Sequence, residues 1–224
     1  MSKAPAGPGR TRGLRWRDAE YASLDFETTG LDLRKDTVVS FGVLPVSSGR
    51  ILMARAVHQL IDPSVPPSPR SQTIHELRPQ DLAGSPRLEE AREALRGALD
   101  GRYLLVWFAD VELNFLKEIF GGARRTWRRR TIDVRNLAIA ADGMPADLRL
   151  QPGYGLSATA KRFGVPVANP HEALDDALVT AQLFLVLVGK LHLKRDPLVR
   201  DLLRTAGAKG GLKAGPKGGT QVGR

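Results

Sequence analysis

The stretch Leu24-Asp25-Phe26-Glu27-Thr28-Thr29-Gly30 alternates apolar and acidic residues and ends in a turn. Side chains of a β-strand alternate between its two faces, so Asp25 and Glu27 are predicted to project from one side at the strand's end. Two neighbouring carboxylates repel each other in a partly dehydrated site unless a cation lies between them. Oxygen ligands without cysteine favour Mg²⁺ or Mn²⁺, so the pair predicts a metal site. A strand edge with two solvated acids is the alternative.

A second acidic stretch, His171-Glu172-Ala173-Leu174-Asp175-Asp176, begins a long apolar segment. His171 follows Asn169-Pro170 and is therefore expected in the loop or first turn before a helix. A histidine next to an activated water is a natural general base because its ordinary pKa lies near neutrality. Asp176 would face the same site from the first turns of the helix. The alternative is a cluster that only complements the helix dipole.

Strand-like and helix-like segments alternate along the chain, which predicts a layered α/β domain. The predicted strands cover 21–26, 37–45, 50–60, 103–108 and 131–133, and the predicted helices cover 86–99, 111–120, 134–141, 156–163 and 173–192. The proline-rich stretch 62–70 is predicted to be an extended loop.

The composition is ordinary for a globular protein, with 42% hydrophobic and 26% charged residues among 224. No stretch is apolar enough to span a membrane, and the N-terminus lacks the apolar region of a secretory signal. The absence of cysteine excludes disulfide scaffolds and thiol catalysis, and it suggests a reducing cytoplasm.

The net charge of +10 is concentrated at the two ends of the chain. Residues 1–17 contribute +5 and residues 205–224 contribute +4, which leaves +1 for the part between them. Both ends are rich in glycine or proline, so we predict flexible basic tails at 1–17 and 205–224 around a folded domain at 18–204. The tails would either bind a polyanion such as nucleic acid or act only as solubilising ends.

Together, these segments resemble the DEDD superfamily of 3′→5′ exonucleases, in the branch with a catalytic histidine (DEDDh). This group includes the proofreading epsilon subunit of bacterial DNA polymerase III and RNase T. The resemblance rests on residues 24–31 (LDFETTGL), on His171 with Asp176 five positions later, on Ile74-His75-Glu76-Leu77 followed by Asp81-Leu82, and on Thr131-Ile132-Asp133. It implies an α/β, ribonuclease H-like fold with a mixed central sheet of about five strands flanked by helices.

The second motif of the family departs from its usual pattern in Trp107-Phe108-Ala109-Asp110-Val111-Glu112-Leu113-Asn114-Phe115-Leu116. When Phe115-Leu116 is aligned on the family's apolar pair, Glu112 occupies the position of the usual metal-binding aspartate. Asp110 is the other candidate, although it is two positions out of register, so Glu112 is favoured. Trp107 and Phe108 replace a polar His-Asn pair, and they are expected in the core rather than stacked on a base.

The resemblance implies a metal-dependent 3′→5′ exonuclease that hydrolyses phosphodiester bonds at nucleic-acid 3′ ends and releases nucleoside 5′-monophosphates. Its catalytic residues would be His171, Asp25 and Glu27, and its two Mg²⁺ or Mn²⁺ ions would be held by Asp25, Glu27, Glu112 and Asp176. By family position, Thr28 and Leu31 would contact the terminal nucleotide.

The expected partners are single-stranded or frayed 3′ ends, with a DNA polymerase as a further candidate and no membrane. The expected compartment is the bacterial cytoplasm. DNA is favoured as substrate, although nothing in the sequence separates DNA from RNA. The two alternatives are an RNA-directed exoribonuclease and a nuclease-fold protein that binds nucleic acid or a polymerase with weak or no cleavage.

Several polar residues near these motifs are expected to have structural roles. His75 is predicted to be a hydrogen-bonded structural histidine, Asp133 a helix cap, and Asp175 a neighbour that points away from the site. The segment 124–130 contains five arginines and Trp127. It would either bind single-stranded nucleic acid or form a solvated loop with Trp127 against the body.

Overall fold

A mixed β-sheet lies at the centre of the protein. The computed structural model describes residues 8–9, 12–143, 154–191 and 196–207. Within them the sheet has six strands: β1 (Glu20–Thr28), β2 (Val38–Ser47), β3 (Arg50–Ile51), β4 (Val57–Leu60), β5 (Tyr103–Val106) and β6 (Thr131–Asp133). Strand β2 pairs antiparallel with β1, β3 and β4, whereas β5 pairs parallel with β1 and β6.

Helices cover both faces of this sheet. They are α1 (Pro69–His75), α2 (Pro79–Leu82), α3 (Leu88–Leu99), α4 (Ala109–Phe120), α5 (Arg124–Arg128), α6 (Val134–Ala141), α7 (Leu156–Arg162), α8 (Ala173–Leu191) and α9 (Val199–Gly207). One apolar core joins the sheet to α6, α8 and α9, and the other joins it to α3 and α4. None of the helices in the described ranges combines the length and apolarity that crossing a bilayer requires.

Strand β1 separates the two cores by alternation of its side chains. Leu24 and Phe26 are buried in the core with α3 and α4. Ser23 points to the opposite face, where its hydroxyl donates to the Ala177 carbonyl of α8 at 2.7 Å. Residues two positions apart on a strand share a face, so Asp25 and Glu27 follow Ser23 toward α8. The predicted placement of this acidic pair on one side of the strand is confirmed.

The parallel pairing of β1 with β5 and of β5 with β6 locates the functional edge of the sheet. The carboxyl ends of all three strands meet at one edge, where Glu27, Val106 and Asp133 lie. Ligands of α/β folds bind at such edges because the strands lead there into loops and helix N-termini. Helices α4 and α6 start at this edge, directly after β5 and β6.

The predicted continuous strand at 50–60 is wrong, because the structure divides it into β3 and β4. A 3₁₀ turn at Met53–Arg55 separates the two pieces. Opposite this interruption β2 contains Pro45, which has no backbone N–H to continue the ladder. The Pro45 carbonyl still accepts from the Leu52 N–H at 2.9 Å, after which the chain leaves the sheet and returns at Val57.

The folded part of the chain extends beyond the predicted boundaries at residues 18 and 204. Trp16 is 5% exposed and packs edge-on against Phe184 of α8, so the predicted tail 1–17 overlaps the core. At the other end, α9 runs to Gly207, and its Ala206 is buried. Helix α9, which packs against α6 and β6, thus reaches into the predicted tail 205–224. The remaining parts of both tails, 1–7, 10–11 and 208–224, lie outside the described residues.

Candidate active site

Two carboxylates at the end of β1 form the base of the site. Glu27 is 8% exposed, and burial, followed by the nearby Asp176 and Glu172 carboxylates, raises its pKa to about 8. Burial also raises the pKa of Asp25 well above its usual range, and the charges of Glu112, Glu27 and Asp176 add to this effect. Such shifts mean that several carboxylates compete for one poorly hydrated volume.

The start of α8 brings His171 and Asp176 to the same place. The metal-ligating atoms of Glu27, His171 and Asp176 all lie within 4.8 Å of one another. The backbone N–H of His171 donates to Asp176 Oδ2 at 3.2 Å, and His171 is an exposed residue. Burial raises the pKa of Asp176. The first and third motifs, about 145 residues apart in sequence, therefore meet in space.

Gly42 allows this close approach of α8 to the sheet. It pairs with Asp25 in the β1–β2 ladder. A Cβ added at Gly42 would lie 2.4 Å from the Ala173 carbonyl oxygen and 2.5 Å from Leu174 Cα, both of them backbone atoms. Any side chain there would push the first turn of α8 away from the carboxylates. Sequence reasoning missed Gly42, and the glycine inside the apolar strand pattern was the available signal.

Glu112 is the carboxylate of the second motif that joins the cluster. It lies in the first turns of α4, which begins at Ala109, two residues before the predicted start at 111. Glu112 is 5% exposed. Burial raises its pKa to about 8, and the negative charges of Asp133, Asp110 and Glu27 add to this effect. Its Oε2 atom has no hydrogen-bond partner among the described residues.

Asp110 is held by a different set of contacts. Its Oδ1 accepts from Arg124 and from Arg128, both of helix α5. A carboxylate already bound by two guanidinium groups is a poor candidate for a metal ligand. Of these two acids, Glu112 therefore lies among the carboxylates, whereas Asp110 is bound to α5.

The donor set fits a hard divalent cation. Asp25, Glu27, Glu112 and Asp176 interact through their charges, and all four have a raised pKa. Two buried oxygens, Glu112 Oε2 and Asp176 Oδ1, lack a hydrogen-bond partner in the part of the chain that the structure describes. Buried polar atoms are normally paired, so these two oxygens are free to accept a cation as ligands. Clustered carboxylate oxygens are the ligands that Mg²⁺ and Mn²⁺ prefer.

The loop after β1 is fixed by Asp36, another residue that sequence reasoning missed. Asp36 accepts from the Thr29 hydroxyl at 3.0 Å and from the Asp32 N–H at 2.7 Å. The loop presents Leu31, which is 71% exposed. Thr28 is buried, and its carbonyl accepts from His75 Nε2 at 3.2 Å. The two residues predicted to contact substrate thus differ: Leu31 offers an open apolar side chain, and Thr28 is largely covered.

Two polar residues have the structural roles predicted for them. His75 Nδ1 accepts from the Leu77 N–H at 3.1 Å, so its Nε2 carries the proton that goes to Thr28. Asp133 accepts from the Asn136 N–H and from the Ala109 N–H, both at 3.2 Å, and so it ties together the starts of α6 and α4. Both ring nitrogens of His75 and the carboxylate of Asp133 are thus occupied by hydrogen bonds within the fold.

The aromatic residues near the site belong to the core. Trp107 and Trp127 are 8% and 3% exposed, and Trp127 packs against Phe120 beneath the Arg130 guanidinium. The segment 124–130 contains the short helix α5 instead of a loop, and Trp127 lies against the body as its second alternative expected. Trp127 is unavailable for stacking on a base. Asp175 likewise turns away from the site, accepting from Asn169 at 2.7 Å.

An RNase H-like sheet with four converging carboxylates and a histidine at its carboxyl edge defines a class of nucleases. Residues 23–184 match the RNase T family, described as exonuclease. The chain belongs to this exonuclease family. The structural neighbours of the chain include the nuclease domain of a DEDDh family member.

Individual relatives agree with this family. A PolC-type DNA polymerase III of Thermotoga petrophila is 32% identical over 177 residues, and the "3'-5' exonuclease DinG" of Staphylococcus aureus is 27% identical over 174 residues. The matches cover 77% and 78% of this chain but only 12% and 19% of those proteins. Escherichia coli exonuclease I, solved with single-stranded DNA, has a TM-score of 0.65 and 17% identity, covering 79% of this chain and 42% of its own.

Proposed function

We propose that this protein is a 3′→5′ exonuclease that hydrolyses phosphodiester bonds at nucleic-acid 3′ ends and releases nucleoside 5′-monophosphates. The observation that carries the proposal is the group of four charge-coupled carboxylates next to His171, two of whose buried oxygens lack a partner among the described residues. A protein that only bound nucleic acid would have no need for this costly arrangement.

DNA is the proposed substrate class. The polymerase III relative is named for DNA synthesis, and exonuclease I was solved with single-stranded DNA. A single-stranded or frayed 3′ end suits a site at the edge of the sheet, because a paired terminus would first have to separate. Leu31, an exposed apolar side chain in the loop after β1, offers a surface for the terminal base.

The proposed mechanism assigns two tasks to the chain's own residues. Asp25, Glu27, Glu112 and Asp176 would hold two Mg²⁺ or Mn²⁺ ions, which when bound supply the charge that lowers the pKa of the attacking water and stabilises the leaving 3′ oxygen. His171 takes the proton from that water, and because it is an exposed residue it can pass the proton on to solvent. The Asp176 carboxylate holds the backbone of His171 through its N–H, which keeps the base beside the carboxylates.

The test is product analysis with 5′-labelled and 3′-labelled oligonucleotides of matched sequence, as single-stranded DNA, single-stranded RNA and DNA duplex with a mismatched 3′ end. With Mg²⁺ or Mn²⁺ we expect mononucleotides from the 3′ end and progressive shortening of the 5′-labelled strand. Chelation by EDTA should stop the reaction. Release from the 5′ end, or no hydrolysis of any substrate by the folded protein, would contradict the proposal, and faster digestion of RNA would reassign the substrate.

Asp25→Ala provides the control for contaminating nucleases. Asp25 interacts with all three other carboxylates, so its loss should reduce turnover by at least about three orders of magnitude, on the scale of several kcal/mol of transition-state stabilisation. The variant should keep its fold because the change removes repulsion. An Asp25→Ala preparation as active as the wild type would show that the activity belongs to another protein or another site.

A further inference from the structure

The loop that carries His171 has an unusual backbone conformation. His171 has φ of +67°, in the left-handed region that non-glycine residues rarely adopt. Such a conformation persists only where surrounding contacts hold it. Two of these contacts come from the site itself and its helix: Asn169 is bound to Asp175, and the His171 N–H is bound to Asp176. The third comes from the sheet.

The third contact is between Glu172, the residue after His171, and His58 of β4. The distance from His58 Nε2 to Glu172 Oε1 is 3.4 Å, and the distance to the Ser40 hydroxyl is 3.1 Å. The same ring nitrogen, Nε2, therefore faces both the Glu172 carboxylate and the Ser40 hydroxyl. Ser40 is 1% exposed and steadies the ring from the neighbouring strand.

The ladder of the sheet explains why His58 can reach this loop. Gly42 pairs with Asp25 on one side and with His58 on the other, so the three residues form one row across β1, β2 and β4. Residues in one row of a sheet point to the same face. The middle position has no side chain, and the start of α8 lies directly over it. Asp25 and His58 therefore flank the start of α8.

Ser40, His58 and Glu172 do not form the Ser–His–acid relay of a hydrolase. In such a relay the acid and the nucleophile contact different ring nitrogens of the histidine. Here Ser40 and Glu172 both contact Nε2, and Ser40 is shielded from solvent. What the contacts can do is hold Glu172, and with it the backbone of His171.

We propose that His58 is a positioning residue of the active site: by holding the Glu172 carboxylate beside β4, it keeps His171 in the left-handed conformation that directs its ring toward Glu27 and Asp176. The proposal rests on the exonuclease function proposed above for the role of His171 in turnover. The placement of the ring itself can be measured without any activity.

The first experiment measures that placement by NMR of protein labelled with ¹³C at its four histidine rings. The His171 signal is identified by its loss in His171→Gln. His58→Phe keeps a planar ring but removes both nitrogens, so it should shift or broaden the His171 signal and leave the His75 signal in place. His58→Gln keeps an N–H donor and should restore most of the wild-type signal. An unchanged His171 signal in His58→Phe would overturn the proposal.

Gln59→Ala is the matched control on the same strand, because Gln59 points to the other face and its side-chain amide donates to the neighbouring Leu60 carbonyl. It should leave the His171 signal unchanged. If Gln59→Ala displaced the signal as much as His58→Phe does, general loosening of β4 would explain the result and the specific role of His58 would be refuted.

The second experiment measures turnover on single-stranded DNA. His58→Phe should lower kcat about tenfold with KM changed less than about twofold, a part of the roughly 10²–10⁴-fold that a general base supplies. Adding Glu172→Ala to His58→Phe should cause little further loss, because both changes break one contact. Multiplicative losses, or an effect on KM alone, would contradict the proposal. Absence of hydrolysis in the wild type would refute the proposed function, and the NMR result would still decide the placement of His171.

Discussion

Gly42→Ala tests the geometry of the site without touching any of its functional groups. The added methyl carbon would lie 2.4 Å from the Ala173 oxygen and 2.5 Å from Leu174 Cα, where an ordinary contact needs at least 3.4 Å. Both neighbours are backbone atoms, so no side-chain rotation can relieve the clash. The start of α8 must therefore move by about 1 Å, and overpacking of this kind costs about 1–3 kcal/mol.

The displaced turn carries the loop of His171 and the ligand candidate Asp176. Errors of about 1 Å in the placement of reacting groups can cost on the order of 10²-fold in rate. We therefore expect Gly42→Ala to lower kcat on single-stranded DNA by about 10²-fold and to weaken Mn²⁺ binding measured by calorimetry. Its melting temperature should fall by several degrees.

Gly189→Ala is the control on the same helix. Gly189 lies near the end of α8, and a Cβ there would have no atom within 4 Å. Alanine is the better helix former, so this variant should match the wild type in turnover and be stabilised by up to about 1 kcal/mol. If Gly42→Ala retained more than half of the wild-type turnover and metal affinity, close packing of α8 on β2 would not be what aligns the site.

Three further predictions concern the carboxylates and the ends of the chain. Glu112→Gln should sharply reduce Mn²⁺ affinity in titrations and turnover in rate assays. Asp110→Asn, which loses only its arginine contacts, should reduce both much less. A larger loss in Asp110→Asn than in Glu112→Gln would show that Asp110 is the ligand. In EDTA the folded protein retains protons on Glu27 and Glu112, whose pKa is about 8, whereas the unfolded chain releases them near the ordinary glutamate pKa of 4.5. The melting temperature should therefore fall as pH rises from about 5 to 8, and added Mn²⁺ should reverse the fall. A melting temperature that does not change with pH would contradict the buried cluster. Removing residues 1–11 and 208–224 deletes six basic side chains and no acid. If these ends contact phosphates, binding of single-stranded DNA should weaken and its dependence on salt concentration should flatten. An unchanged affinity and an unchanged salt dependence would mean that the ends only solubilise the chain.

The sequence by itself determined the central strand and the long last helix of the site. The alternation around Asp25 and Glu27 is a local property that depends only on the period of a strand, and the structure keeps it. The same holds for the helix after His171, where a long apolar segment follows polar residues. The order and spacing of these motifs also led to the exonuclease family.

Tertiary structure gives Asp110 and Glu112 different surroundings, which the sequence could not show. Both are acids in the first turns of one helix, and sequence register had favoured Glu112. What separates them is α5, whose Arg124 and Arg128 bind Asp110 and leave Glu112 among the carboxylates. The burial of Trp127, which removes it from any role in stacking, follows from the same packing of α5 on α4.

Tertiary structure also decided how closely the two halves of the site approach each other. Neither Gly42 nor His58 was singled out from the sequence pattern. The ladder places them in one row with Asp25, and the start of α8 then lies over the row. Periodicity describes one segment at a time, whereas this row joins three strands and a helix that are distant along the chain. Only packing brings such residues together, because the energy of a contact depends on distance in space and not on separation in sequence.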